Sequence, residues 1–204
     1  TGLTAFFGVT DVGKAKEGET FVVSAAGGAT GSVAGQIARI IGCKTIGIAG
    51  TQEKLDWIVS DLGFDHGINY KTENVEDQLR KTCPEGIDVY FDNVAGPILD
   101  AVLANIAVHG RVALSGMMEN YNKDEPVPGP YQFDMLLMRR ATITGFLSRD
   151  FFPRMEESDA QMRTWIDQDL ISLRFDETEG IENAPTAYKC LFEGKNIGKS
   201  IIKI

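Results

Sequence analysis

The sequence predicts an α/β protein built on a doubly wound, Rossmann-type parallel sheet. Two observations carry that prediction. Short β-branched runs alternate with longer amphipathic ones along most of the chain, the pattern of a parallel sheet with helices on its faces. The first such unit, FVVSAAGGATGSVAGQIARI, passes from an apolar run through a glycine-rich turn into a helical pattern. Each element follows in order. TGLTAFFG at the start reads as a helix or its entry, and its lack of an initiating Met suggests a fragment of a longer protein. TFVVS is the first strand, and GSVAGQIARIIG continues as a helix with Ile37, Ile40 and Ile41 on one face and Gly42 as its stop. KTIGIAG is the second strand, EKLDWIVSDLG a helix, HGINY a short third strand and VEDQLRKT a helix. IDVYFDNVAG is the fourth strand with its loop, and Pro97 suits the first turn of the helix PILDAVLANI. GRVALSG and ATITGFL are the fifth and sixth strands. Between them Met117 to Tyr131 is a long Asn-, Pro- and Gly-bearing loop, and loops of that length are commonly functional. A helix over Met155 to Leu170, RFDETEGI, a helix ending at Gly194 and the β-rich GKSIIKI complete the chain. We divide it into a dinucleotide-binding unit, residues 1–170, and a C-terminal segment, residues 171–204.

Composition bounds the function. With 204 residues, 43% hydrophobic and 24% charged, the chain is large enough for one good-sized core. The net charge of −9 argues against nucleic acid as a partner, which is met by a basic face. No apolar run is long enough to span a bilayer, and no signal peptide is recognisable, so a cytoplasmic location is expected. Cys43, Cys83 and Cys190 are scattered and form no C-x-x-C pair, which suits reduced, structural thiols and no metal site.

The glycine-rich turn follows a buried strand and opens a helix, the context that makes such a turn a dinucleotide site rather than a mere packing device. Amides from Ala29, Thr30 and Gly31 would point at a pyrophosphate, helped by the helix dipole. Gly28 would allow close backbone approach and Gly31 close helix–strand packing. Ala26 stands where the usual fingerprint has its first glycine, which is tolerable if no positive φ is required there. The end of the second strand chooses the nucleotide. NAD sites place an acid there to accept the ribose hydroxyls, whereas this chain has Gly50 and Thr51, with Lys54 one helical turn on. Glu53 should point elsewhere, and a solvated lysine would be the plainer account of Lys54. The combination favours NADP(H). Tyr70, Asn93 and Gly116 fall at the ends of the third, fourth and fifth strands, where ligands bind in such sheets, although Asn93 also suits a turn and Gly116 a strand terminus.

TGLTAFFG, VSAAGGATGSVAGQIAR, GIAGTQEK, LGFDHGINYK, YFDNVAG, GRVALSG, ENYN, GFL and EGKNIGKSIIKI together resemble the zinc-independent medium-chain dehydrogenases/reductases. The resemblance is to their NADP-dependent double-bond reductase branch, which includes prostaglandin, alkenal and curcumin reductases. It implies that Ala25, Gly28 and Gly31 form that family's Ala-x-x-Gly-x-x-Gly turn. It implies 2′-phosphate contacts at Lys54 and Tyr70, and nicotinamide-side contacts at Asn93, Tyr121, Phe146, Leu147, Ser148 and Asn196. The implied reaction is hydride transfer from NADPH to the β-carbon of an enone or enal, with Tyr121 donating a hydrogen bond or proton to the enolate. Tyr121 could instead only shape its loop or hold the ribose. His66 and His109 sit near strand starts, away from the cofactor edge. The resemblance further implies an N-terminal substrate barrel that this chain lacks, a closing GKSIIKI strand deprived of its partner there, and a homodimer through the cofactor domain. A quinone reductase of the same superfamily, or a non-catalytic nucleotide-binding module, is the alternative reading.

Overall fold

A computed structural model describes residues 1–121, 125 and 129–204. The middle of the long Met117–Tyr131 loop lies outside the described residues. The main sheet has six strands: β1 (Thr20–Ser24), β2 (Lys44–Ala49), β3 (His66–Asn69), β4 (Ile87–Asp92), β5 (Ile106–Leu114) and β6 (Thr142–Gly145). Their order is β3-β2-β1-β4-β5-β6 and every pair is parallel. That is the doubly wound Rossmann order, with the direction of winding reversing between β1 and β4 and leaving a crevice at the strands' carboxyl ends.

The strands read as continuous apolar runs because both faces are covered. Successive side chains alternate across the sheet. Phe21, Val23, Val89 and Phe91 pack on one face with α1 (Gly2–Phe7) and α2 (Ala29–Ile41), against Phe7, Val33 and Ile37. Val22, Ile46, Ile48 and Tyr90 pack on the other face with Leu79 of α4 (Val75–Thr82) and Leu99 and Val102 of α5 (Gly96–Ala104). Between α2 and α4 in sequence, α3 (Gln52–Asp56) runs on as a π-helical turn over Trp57–Asp61. Phe7 stacks on Phe151 at a ring separation of 4.5 Å, and Phe146 meets Phe91 and Phe151 edge-on, closing the core beneath β6.

Three expectations are corrected by the structure, and one helix lies where the sequence offers no reading. The fifth strand starts at Ile106, not Gly110, because its register against β4 slips between Ile87 and Val89, with His109 at φ 65 within the slip. A short helix, α6 (Asp134–Arg139), precedes β6; six residues with none buried give no apolar periodicity to detect. The helix expected to reach Leu170 ends earlier, as α7 (Met155–Asp167), and Asp169 turns the chain at φ 57. Finally, β8 (Lys199–Lys203), which follows α8 (Ala184–Phe192), has a partner within the chain: it pairs in parallel with β7 (Phe175–Glu179).

Candidate functional site

Strand β1 ends at Ser24, and the chain turns sharply at Ala25, whose φ is 50. The positive φ therefore falls on Ala25 and not on Ala26, which is fully buried. The Gly28 amide donates to the Ala25 carbonyl at 2.9 Å and closes the turn. Helix α2 then begins at Ala29, with the Ser32 amide bonded to the Gly28 carbonyl. The amides of Ala29, Thr30 and Gly31 belong to the first turn, where no intrahelical carbonyl is available to them. Gly31 lies so close to the turn that a Cβ there would stand 2.4 Å from the Ala25 carbonyl oxygen. A glycine-lined helix N-terminus of this kind is suited to an anion.

At the end of β2 the Tyr70 ring lies against Gly50, where a Cβ would come within 2.8 Å of it. Thr51 caps α3, accepting from the Lys54 amide at 3.4 Å. Lys54 is not the solvated lysine its position in the sequence allowed: it is 8% exposed. Its stem crosses Gly27 and its amine donates to the Gly194 carbonyl at 2.6 Å. Burial, reinforced by nearby Lys71, lowers the pKa of that amine. Glu53 does point elsewhere, toward Arg174 at 3.3 Å. Lys71, which sequence reasoning passed over, stands 5.9 Å from the Tyr70 ring centroid. The INYK run holds the signal for it, since the residue after Tyr70 is a second cation at the same strand end.

Across the switch point, Asn93 is pinned to β1. Its side-chain amide donates to the Ser24 carbonyl at 2.8 Å and its backbone amide to Ser24 Oγ at 2.9 Å. Gly116 follows β5 and packs beside the Asn93 carbonyl. The Tyr121 hydroxyl lies over Gly116 and accepts from the Met117 amide at 3.2 Å. The Phe146 ring is committed to the core with Phe91 and Phe151, while Leu147 is exposed and Ser148 opens a 3₁₀ turn. Asn196 lies in the segment that follows α8, its amide donating to the Gly198 carbonyl at 3.0 Å. That segment docks on the glycine turn, because the Gly198 amide donates to the Gly27 carbonyl at 2.8 Å. The structure thus brings the predicted residues to one edge of the sheet in two groups, Gly50, Lys54 and Tyr70 beside β2 and Asn93, Gly116 and Tyr121 beyond β4. The glycine turn lies between them.

A doubly wound parallel sheet with a glycine-rich turn at its switch point is the architecture of the α/β class that binds dinucleotides. The chain belongs to the family described as zinc-binding dehydrogenase, which matches residues 29–164. It is 39% identical to the NADPH-dependent curcumin reductase of Escherichia coli (strain K12), matching 100% of this chain and 60% of that protein. It is also 39% identical to the NADP(+)-dependent 2-alkenal reductase of Nicotiana tabacum, matching 100% of this chain and 59% of that protein. Among solved structures, CurA from Vibrio vulnificus in complex with NADPH superposes with a TM-score of 0.94 at 41% identity, over 99% of this chain and 61% of that one. The chain spans about three fifths of the length of these relatives. The family's description names zinc. Among the described residues no three His, Cys, Asp or Glu side chains gather into a possible metal site. Cys43 is buried with its thiol against the Lys16 carbonyl, and burial pushes its pKa up to about 11, far from a ready thiolate. The described residues do not fit a zinc centre, whereas the glycine turn and its flanking groups do fit a dinucleotide.

Proposed function

We propose that this chain is the NADP(H)-binding portion of a zinc-independent enzyme that reduces the carbon–carbon double bond of α,β-unsaturated ketones and aldehydes. The observation that carries the reading is the corner beside β2. No acid stands at the end of β2 to repel a phosphate: Gly50 has the Tyr70 ring against it, Lys71 lies 5.9 Å from that ring, and Lys54 follows in α3. The amides of Ala29, Thr30 and Gly31 hold the pyrophosphate, with Gly28 allowing its approach. Lys54 and Tyr70 hold the 2′-phosphate. Lys54 already lies at the glycine turn, so it needs only to exchange the Gly194 carbonyl for a phosphate oxygen. Asn93, Gly116, Leu147, Ser148 and Asn196 line the nicotinamide half, with Phe146 supporting from the core side.

NADPH, when bound, supplies a hydride to the β-carbon of the substrate. The residues of this chain orient that transfer and deal with the charge it creates. The Tyr121 hydroxyl accepts from the Met117 amide, so its own proton is available to the enolate oxygen. The curcumin and alkenal reductases among the relatives support this substrate class. Residues 171–204 form the return toward a further substrate-binding unit. The protein acts as a cytoplasmic homodimer joined through this domain: β6 is a sheet edge, and Leu137 and Met138 are exposed on α6, which precedes it in sequence. The three free cysteines suit a reducing compartment.

Fluorescence titration tests the reading. NADPH should bind at least about tenfold more tightly than NADH, and Lys54→Ala should remove most of that preference, as expected for loss of a charge-assisted hydrogen bond. Equal affinity for the two cofactors would sink it. Consumption of NADPH with an enal or enone by the native protein checks the substrate class.

A further inference from the structure

The end of β4 carries a buried carboxyl that the cofactor site does not use directly. Asp92 is fully buried, and its Oδ1 accepts from the Tyr90 hydroxyl, the Val94 amide and the Ala95 amide at 2.9 Å each. The same oxygen accepts from Ser24 Oγ at 3.2 Å. Oδ2 is buried and has no hydrogen-bond partner among the described residues. Four donors on one oxygen are a costly arrangement to assemble in a core, and they converge on one feature. Ala95 has φ 64 and ψ −150, a backbone region nearly confined to glycine. A residue with a side chain stays there only where its surroundings over-determine it, and such strain gathers at functional sites.

The surroundings are visible. The Asp92 carboxyl grips the amides of Val94 and Ala95 from inside the turn. From outside, the Met118 amide bonds the Asn93 carbonyl at 3.2 Å, and the Glu119 amide bonds the Val94 carbonyl at 3.1 Å. The amides of Ser115 and Gly116 bond the Asp92 carbonyl, so the turn also sets where Gly116 lies. A second route runs through Ser24. A hydroxyl has one proton. Ser24 gives it to Asp92 and therefore offers only its lone pairs to the Asn93 amide, which fixes the direction of that bond. Both routes end on Asn93 and Gly116, on the β4–β5 side of the switch point. A dinucleotide lying across the switch point with its adenosine end beside β2 places its other half on this side.

We propose that Asp92 is a positioning residue for the nicotinamide half of the site. Acting through Ser24 and the strained Ala95 turn, it holds Asn93 and Gly116 in place, and it contacts no ligand itself. The inference rests on the NADP(H) reading. Its test compares two ligands, NADPH and 2′-phospho-ADP-ribose, which has the same adenosine end and lacks nicotinamide. In this chain, Asp92→Ala should weaken NADPH about tenfold, the scale of one lost hydrogen bond at a precise site, and leave 2′-phospho-ADP-ribose within about twofold. Asp92→Asn keeps an oxygen for the same donors and should bind NADPH nearly as the unsubstituted chain does. Should Asp92→Ala fail to fold, Ser24→Ala removes the second route alone and should show the same selective loss, smaller in size. Equal weakening of both ligands in Asp92→Ala or Ser24→Ala would overturn the proposal, since that is what general loss of structure produces. So would undiminished NADPH affinity in either variant. If the unsubstituted chain bound neither ligand, the NADP(H) reading itself would fall, and this inference with it.

Discussion

Gly31→Ala is the sharpest perturbation of the glycine turn. A methyl group at this position would stand 2.4 Å from the Ala25 carbonyl oxygen, 2.9 Å from its carbon and 3.0 Å from the Ala26 Cα. All three are backbone atoms and none can rotate aside. Ordinary contact begins at 3.4 Å, so the start of α2 must move by about 1 Å away from the turn. Overpacking of this kind costs about 1–3 kcal/mol. Replacing glycine by alanine in a helix returns at most about 1 kcal/mol, and less in the first turn, where the helix is least constrained. The clash wins, leaving a net loss of about 1–2 kcal/mol. For a chain of this size that lowers Tm by about 2–8 °C in a thermal melt. The same shift carries the amides of Ala29 and Thr30 off the place proposed for the pyrophosphate, so on that proposal NADPH affinity should fall at least about tenfold. Gly27→Ala is the control. Its methyl meets the Lys54 Cγ and Cδ at 2.8 Å, which can rotate aside, and the Lys54 Cβ at 2.9 Å, which gives only with a small shift of α3. That variant should lose less Tm than Gly31→Ala while losing preference for NADPH over NADH. An unchanged Tm in Gly31→Ala, or a larger loss in Gly27→Ala, would refute this account of the turn.

Two further outcomes concern the end of β4. Ala95→Gly removes strain of about 1–3 kcal/mol and adds about 0.5–1 kcal/mol of backbone entropy cost, so the variant should melt higher; a lower Tm would show that Ala95 is not strained. Burial raises the pKa of Asp92 above that of an ordinary carboxyl, outweighing the hydrogen bonds that lower it. A group with a raised folded pKa stabilises the fold fully below its unfolded pKa of about 3.9, and that contribution is lost as pH rises through the folded value. Asp92→Asn cannot ionise, so its stability relative to the unsubstituted chain should improve between about pH 4 and about pH 7. Urea denaturation at both pH values checks the sign, and a relative stability that falls with pH would contradict it.

The layered architecture was legible because its signals are local. Strands buried on both faces must be apolar throughout, and helices packed on them must keep one apolar face, so TFVVS, KTIGIA and VEDQLRKT declare themselves within a few residues. The glycine turn was legible for the same reason, since the strand, the turn and the helix N-terminus are consecutive. What failed was also local in cause. The strand slip around His109 and the six-residue α6 are too short or too irregular to impose a period.

By itself, then, the sequence determined the doubly wound class, the place of the glycine turn and the absence of an acid at the end of β2. Only the tertiary structure decided how those parts are held. Lys54 reaches a carbonyl 140 residues away, and Ser24 meets Asp92 across a separation of 68. Asp92 and Ala95 carry no sign in IDVYFDNVAG of the carboxyl's crowded oxygen or the strained turn it restrains. The physical reason is that periodicity reports which face of an element is buried, whereas a hydrogen bond depends on which distant atom folding delivers to that face.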